Sequence, residues 1–149
     1  MIVDLLIQFL LAMAGTLGFA IIFRAPLRRM PACVFIGGCG WVSYLITVNC
    51  FDSPILGCFI ASCLVGLMSD IFARMLKDAA TIFIIPGILC LVPGAKIFYT
   101  MEALLKEDFT GTAEIGLQML LMAGAIAMGL LVMGAIIRVV RTAIRTFIA

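Results

Sequence analysis

Five long stretches of this sequence contain no charged residue, and they constrain the fold more than any other feature. They cover residues 5–23, 30–51, 53–69, 79–95 and 115–137. A charge at the centre of a membrane span costs roughly 2.5–3.5 kcal/mol, and ~20 apolar residues cross the ~30 Å hydrocarbon core. Hydrophobic residues make up 65% of the chain, against about 45–50% in soluble domains. The sequence therefore predicts an all-α integral membrane protein rather than a soluble domain.

We predict five transmembrane helices in a single membrane domain over residues 1–149. With flanking residues included, the spans run over about 3–23, 31–51, 54–73, 79–101 and 115–137. The second and third are joined by a tight turn over 49–54, which contains Asp52 and Pro54. No basic residue precedes Arg24, so we expect the first stretch to be a retained span rather than a cleaved signal peptide.

The basic residues predict how the spans are oriented in a cell membrane. Five crossings place Lys96 and Lys106 on one side. The other side receives eight: Arg24, Arg28, Arg29, Arg74, Lys77, Arg138, Arg141 and Arg145. By the positive-inside rule we expect the eight to be cytoplasmic, with the N-terminus outside and the C-terminus inside. Residues 138–149 are predicted to form a cytoplasmic amphipathic tail, which lies on anionic headgroups or docks a partner.

The fourth stretch contains two Pro-Gly pairs, Pro86-Gly87 and Pro93-Gly94. Proline lacks the N–H that would bond the carbonyl four residues earlier, and glycine leaves helical angles easily. We expect the fourth helix to be broken by these pairs. Within hydrocarbon, irregular backbone survives only where protein covers it or where it lines an aqueous cavity, as in the discontinuous helices of transporters. The alternative is a span that the prolines merely bend.

The same region is the predicted substrate site. A half-helix starting near Gly94 would point the amides of residues 94–96 at a carboxylate, while the freed carbonyls suit an ammonium group. Lys96 either holds the substrate carboxylate or extends to the headgroups, and Tyr99 is either a pocket wall or an interface anchor. The candidate substrate-binding residues are Pro86, Gly87, Pro93, Gly94, Ala95, Lys96 and Tyr99.

Asp70 lies at the inner end of the third span, four residues before Arg74. An ion pair on one helix face explains this spacing, and the alternative is a carboxylate that couples transport to protons. Small residues in the first and fifth spans are predicted to mark helix-packing faces. They are Ala14 and Gly18, followed by Gly116, Ala123, Gly124, Ala125, Ala127, Gly129 and Gly134.

The chain has no histidine, and its six cysteines form no C-x-x-C motif. These facts argue against a metal site, and the sequence offers no pair of nucleophile and base for an enzyme. We expect no cofactor, no metal and no nucleic-acid partner. The cysteines are interpreted as small packing residues, although Cys50 and Cys58 are near enough to the outer turn to meet there.

Several ordered motifs resemble the ThrE-type threonine/serine exporters, specifically the small YjjB-like subunit of the split, two-component form. The resemblance covers nearly the whole chain and is most specific from Ser69 to Tyr99. Departures from the family pattern occur at Ala79, Cys90 and Lys96. The motifs are GFAIIF at 18–23, Pro26, Gly37, Trp41, Tyr44, SDIFAR at 69–74, TIF at 81–83, IPGI at 85–88, LVPG at 91–94 and Tyr99.

The resemblance implies a proton-coupled exporter of threonine and serine, or of small carboxylates such as succinate, working with a larger multi-span subunit of the same family. An odd number of spans without an evident repeat also favours such a partner or self-association, because secondary transporters are usually built from paired repeats. The alternatives are a scaffold subunit that does not itself transport, and a homo-oligomeric carrier or channel. The lipid bilayer and a small-molecule substrate complete the expected contacts.

Overall fold

The computed structural model describes residues 2–148, and the side-chain surroundings of residues 3–143. Four of its helices are long and apolar enough to cross a membrane, and a bent pair, α4 with α5, supplies a fifth candidate span. The predicted all-α membrane architecture is therefore confirmed. The helices are α1 (Ile2–Ile22), α2 (Met30–Phe51), α3 (Pro54–Leu76), α4 (Thr81–Leu89), α5 (Gly94–Leu105) and α6 (Phe109–Ile148).

The predicted turn between the second and third spans is present and is built from its own residues. Asp52 adopts a left-handed conformation with φ 50°, and its backbone N–H donates to the carbonyl of Val48. The Ser53 hydroxyl then caps α3 by accepting from the N–H of Leu56, and Pro54 occupies the first helical position. Two antiparallel spans follow from this local chemistry.

Helix α3 lies at the centre of the bundle, with α2, α4 and α6 packed around it. Helix α1 packs on α2 and α4, whereas α5 packs on α6 alone. The core between these helices is made largely of small and apolar side chains, among them Cys33, Ile36, Cys58, Ala61, Val65 and Phe83. Cys33 and Cys58 thus serve as packing residues. All six cysteines are unpaired, and Cys50 is exposed while Cys58 is buried.

Glycines allow the closest helix contacts, but not all at the predicted positions. A β carbon at Gly40 would lie 2.6 Å from Val65, and one at Gly129 would lie 2.7 Å from the carbonyl oxygen of Phe59. Gly129 therefore packs as expected. The packing face predicted at Ala14 and Gly18 is not used inside this chain, because both are exposed. Helix α1 instead turns Thr16 and Ala20 toward its neighbours, and Thr16 meets Gly37.

Of the other small residues predicted to form a packing face on α6, some contact neighbouring helices and others are exposed. A β carbon at Gly116 would come within 3.4 Å of Thr100 on α5. At Gly124 and Gly134, by contrast, an added β carbon would meet nothing within 4 Å. The predicted face is thus only partly used inside this chain, and Ala123 and Ala127 are also exposed.

Ion pairs join one end of the bundle. Arg29 at the start of α2 pairs with Asp78 and donates to the carbonyl of Leu76 at 2.8 Å. Asp70 near the end of α3 pairs with Arg141 of α6 at 3.0 Å. These contacts bring together most of the basic residues, as the alternating spans require. We call this the basic end, and its residues are Arg24, Arg28, Arg29, Arg74, Lys77, Arg138 and Arg141.

Helix α6 continues past the predicted end of the fifth span without interruption. The predicted tail over 138–149 therefore begins as the last turns of the same helix, with Arg138, Val140 and Arg141 exposed. The side chains on which its amphipathic pattern also depends, Ile144, Arg145, Phe147 and Ile148, lie outside the described residues. The membrane-anchoring role of the tail stays a prediction.

Candidate functional site

The fourth span is broken as predicted, but once rather than twice. The first Pro-Gly pair lies inside α4, where Pro86 and Gly87 are both buried. The carbonyl of Ile82, which loses its helical partner at Pro86, accepts a hydrogen bond from the Cys33 thiol at 3.4 Å. This substitute donor lets the helix continue through the proline, so the expectation of a break at the first pair is corrected.

Gly87 shows why the first pair belongs to the packing of the bundle. An added β carbon there would lie 3.2 Å from Ile36 and 3.3 Å from Val65. Helix α4 thus fits closely against α2 and α3. Side chains of α2 and α3 fill the space around Gly87, and its predicted role in substrate binding stays a prediction.

The break itself falls at residues 90–93, and the axes of α4 and α5 differ by 49°. Pro93 precedes the first turn of α5, which begins at Gly94 as predicted. The Gly94 amide donates to the carbonyl of Val92 at 2.7 Å, so it is already engaged. The amides of Ala95 and Lys96 remain in the first turn, where helix geometry supplies no intrahelical acceptor.

If α4 enters the membrane at the basic end, the break lies near mid-membrane depth. Helix α4 has 9 residues, which at ~1.5 Å each place its end about 13 Å from its start at the basic end. Half of a ~30 Å hydrocarbon core is about 15 Å. Val92 at the break is 43% exposed, and Gly94 and Ala95 are exposed as well. In hydrocarbon, irregular backbone survives only where protein covers it or water reaches it.

Polar groups of α1 and α2 face the start of the break. The Cys90 thiol lies 3.0 Å from the Thr16 hydroxyl and 3.6 Å from the carbonyl oxygen of Ala12. Nearby, the Trp41 indole donates to the Gln8 side chain at 3.2 Å. A cavity of about 230 Å³ opens beside these groups. Sequence reasoning missed Gln8 and Thr16, since only the packing of α1 on α4 brings them to the break.

Lys96 and Tyr99 lie beyond the break, on α5. The Lys96 ammonium donates to the Gln118 side chain at 2.7 Å and so connects α5 to α6. Tyr99 is exposed and contacts Phe98 edge to face. Both Lys96 and Tyr99 line a cavity of about 350 Å³ between α5 and α6. Lys96 is therefore already bonded to a side chain of the same protein. Neither predicted role, substrate binding or extension to the headgroups, had included this contact.

The far wall of this cavity is charged. Lys106 pairs with Glu102 at 2.6 Å. Asp108 caps α6 by accepting from the Gly111 N–H at 3.0 Å and from the Thr110 hydroxyl at 2.8 Å. These hydrogen bonds, the one from Gly111 first, favour the ionised carboxylate and lower the pKa of Asp108.

The seven predicted substrate residues therefore do not form one pocket. Pro86 and Gly87 are buried, the residues from Pro93 to Ala95 form the break, and Lys96 and Tyr99 face the cavity between α5 and α6. The division follows from the single break. Gly94, Ala95 and Tyr99 are exposed, whereas the buried Pro86 lines a separate cavity of about 200 Å³ with Phe23, Pro26 and Ile85.

Asp70 forms the predicted ion pair with Arg74, at 2.5 Å. It also pairs with Arg141, which the sequence had assigned to the tail. Asp70 and Arg141 line a cavity of about 230 Å³ with Arg138, between α3, the start of α4, and α6. No spacing rule connects positions 70 and 141, so only the packing of α3 on α6 reveals this cluster. We call it the basic-end cavity.

One comparison with known proteins decides the family. A family model described as "Threonine/Serine exporter, ThrE" matches residues 8–136, which include the break and most of α1 and α6. The chain belongs to the threonine/serine exporter ThrE family. No solved structure matches it. As a ThrE-family protein with four to five candidate spans, it is a multi-pass membrane transport protein.

Proposed function

We propose that this ThrE-family chain is the small subunit of a two-component exporter. The complex moves threonine, serine or a small carboxylate such as succinate across the cell membrane, at the expense of the proton gradient. The observation that carries the proposal is the bent pair of α4 and α5, whose irregular backbone between the two helices is exposed. Discontinuous helices of this kind form substrate sites in secondary transporters.

The exposed half of the broken span argues for a partner. No residue of α5 is buried, and large apolar side chains on it, such as Phe98 and Leu105, are 65% and 84% exposed. Lipid tolerates such side chains, but it offers no acceptor to the first-turn amides of α5 that lack an intrahelical partner. We therefore expect a larger membrane subunit of the same family, or a second copy of this chain, to cover the break.

The substrate path then runs along the second Pro-Gly pair. The first-turn amides of α5 suit a carboxylate, and carbonyls at the break suit an ammonium group. Tyr99 provides a side wall of this path. The Lys96 ammonium group leaves Gln118 and binds the substrate instead. With the basic end in the cytoplasm, as the positive-inside rule favours, the substrate leaves past the cavity between α5 and α6.

Asp70 is the proposed proton-coupling group, because it is the acid at the basic end that faces a cavity. If Asp70 carries the coupled proton, Asp70→Asn abolishes the dependence of efflux on the proton gradient. Efflux that still collapses with an uncoupler in this variant would remove Asp70 from the coupling mechanism.

Efflux of preloaded labelled threonine, serine and succinate tests the proposal. Cells express this chain alone, the larger family subunit alone, or both, with and without an uncoupler. We expect efflux only with both chains, and its collapse with the uncoupler. Efflux from this chain alone would identify a homo-oligomeric carrier, whereas full efflux from the larger subunit alone would make this chain a scaffold or dispensable.

A further inference from the structure

The basic-end cavity carries more positive charge than its acid can balance. Asp70 is shared between Arg74 and Arg141, at 2.5 Å and 3.0 Å. Arg138 lines the same cavity and has no ion pair within the described part of the chain. The guanidinium groups of Arg138 and Arg141 therefore line this space with one carboxylate, that of Asp70, which also pairs with Arg74 outside the cavity lining.

We propose that the basic-end cavity is a second substrate site, in which Arg138 and Arg141 bind the carboxylate of the transported molecule. Asp70 acts there as an internal competitor, occupying Arg141 while the site is empty. This inference rests on the proposed function and extends it to the opposite end of the broken span. The site would receive substrate before it reaches the break.

The contact between Asp70 and Arg141 shows which ligand chemistry fits. A carboxylate oxygen already lies 3.0 Å from the Arg141 guanidinium, and arginine binds carboxylates through its planar set of donors. A substrate carboxylate can take this place because Asp70 keeps Arg74 as a partner. For an amino acid, the displaced Asp70 carboxylate can then accept from the substrate ammonium group.

The size and lining of the cavity also suit a small solute. Its volume of about 230 Å³ lies below the ~300–1,000 Å³ of pockets for drug-sized ligands. Apolar side chains of Ile84, Leu130 and Ile137 form its inner wall. Gly134 keeps part of the space open, since an added β carbon there would meet nothing within 4 Å.

A lipid phosphate is the competing anion at a membrane surface. We favour the small carboxylate because the group that Arg141 holds in this structure is a carboxylate, and because a volume of about 230 Å³ with a partly apolar lining suits a small solute. The experiment below distinguishes the lipid phosphate from the small carboxylate.

Binding of labelled threonine, serine and succinate to membranes containing the full chain with its larger subunit tests the proposal. Arg138→Gln removes a cation that has no ion pair among the described residues, and Gly134→Leu places a bulky side chain in the lining of the cavity, at a position where a β carbon meets nothing within 4 Å. We expect each to weaken binding about tenfold or more, since hydrogen bonds to charged groups are the strong ones. Arg28→Gln at the same end and Gly124→Leu on the same helix are matched controls, and should bind as the unmodified chain does.

Asp70→Asn sharpens the test because it should strengthen substrate binding, whereas Arg138→Gln and Gly134→Leu should weaken it. Removing the Asp70 carboxylate, which competes for Arg141, should raise the affinity for succinate. Succinate has no ammonium group, so it loses no contact when Asp70 is replaced. Lower succinate affinity in this variant would contradict the competitor role. Unchanged binding in both Arg138→Gln and Gly134→Leu would overturn the site.

The lipid alternative has its own readout. If Arg138→Gln leaves substrate binding intact but removes stabilisation of the protein by phosphatidylglycerol vesicles, the cavity holds a headgroup and the inference is wrong. Failure of the proposed function looks different. In that case the unmodified complex neither binds nor exports any of the three solutes.

Discussion

The two halves of the broken span each have a Pro-Gly pair but lie in opposite environments. The first pair lies inside α4, which buries Phe83, Pro86 and Gly87 among three other helices, whereas the second lies at the start of α5, which buries no residue and packs on α6 alone. Helix α4 continues through its pair because the Cys33 thiol replaces the hydrogen bond to the Ile82 carbonyl that Pro86 cannot make. The same dipeptide thus packs within a helix or interrupts it according to what surrounds it.

The largest expected difference between the halves is in stability. Phe83 is fully buried in α4, whereas Phe98 of α5 is 65% exposed. Phe83→Ala should destabilise the protein by about 3–5 kcal/mol, because it leaves a cavity in the core. Phe98→Ala should change the unfolding temperature little. Thermal unfolding in detergent measures both, and equal losses would mean that α5 is anchored as firmly as α4.

Replacing a glycine by leucine should destabilise the protein at Gly87 in α4 but not at Gly94 in α5. Gly87→Leu pushes against Ile36 and Val65, and we expect a cost of about 1–3 kcal/mol. Gly94→Leu has open space and should leave the amount of folded protein unchanged. Protein levels in the membrane and protease resistance test this pair. Loss of folded protein in Gly94→Leu alone would reverse the assignment of packed and open halves.

A smaller effect is expected at the contact that holds α5 to α6. Lys96→Met or Gln118→Leu removes the 2.7 Å hydrogen bond between them, at a cost of roughly 0.5–1.5 kcal/mol. Amide hydrogen exchange should then speed up in α5 but not in α4. A double-mutant cycle checks the pairing, and additive effects of the two changes would show that the side chains do not interact.

The smallest expected effect is a pH dependence at the turn before α6. The pKa of Asp108 is lowered in the folded chain by the Gly111 N–H and the Thr110 hydroxyl. Its stabilising contribution is therefore present above the ordinary value of 3.8 and is lost as the pH falls through the lowered value. Hydrogen exchange in the first turn of α6 should lose protection in that acidic range. Asp108→Asn, which keeps a capping oxygen but does not titrate, should remove the pH dependence.

The spans were predictable because they depend on local sequence. An uncharged apolar stretch of sufficient length is favourable in lipid whatever its neighbours are. The turn at Asp52 and Ser53 was predictable for the same reason. Which face of α1 packs was not, because lipid and protein core are equally apolar and leave no polarity pattern to read. Ala14 and Gly18 therefore looked like packing residues, although Thr16 and Ala20 hold that role.

The candidate site was predictable only in part. Proline and glycine marked the region of the break, but choosing between the two pairs required Cys33, which lies on another helix. The contacts of Asp70 with Arg141 and of Lys96 with Gln118 join residues far apart in the chain. No periodicity encodes such pairs, so the basic-end cavity could not be found without the fold.

Efflux by the Gly94→Leu variant tests the central claim most directly. The variant is expressed with the larger family subunit, its membrane level is matched to the unmodified chain, and release of labelled threonine, serine and succinate is measured. Gly124→Leu, another exposed glycine with open space around it, is the control. We predict that Gly94→Leu abolishes efflux while Gly124→Leu retains it. Full efflux by Gly94→Leu at a normal membrane level would contradict a substrate path along the break.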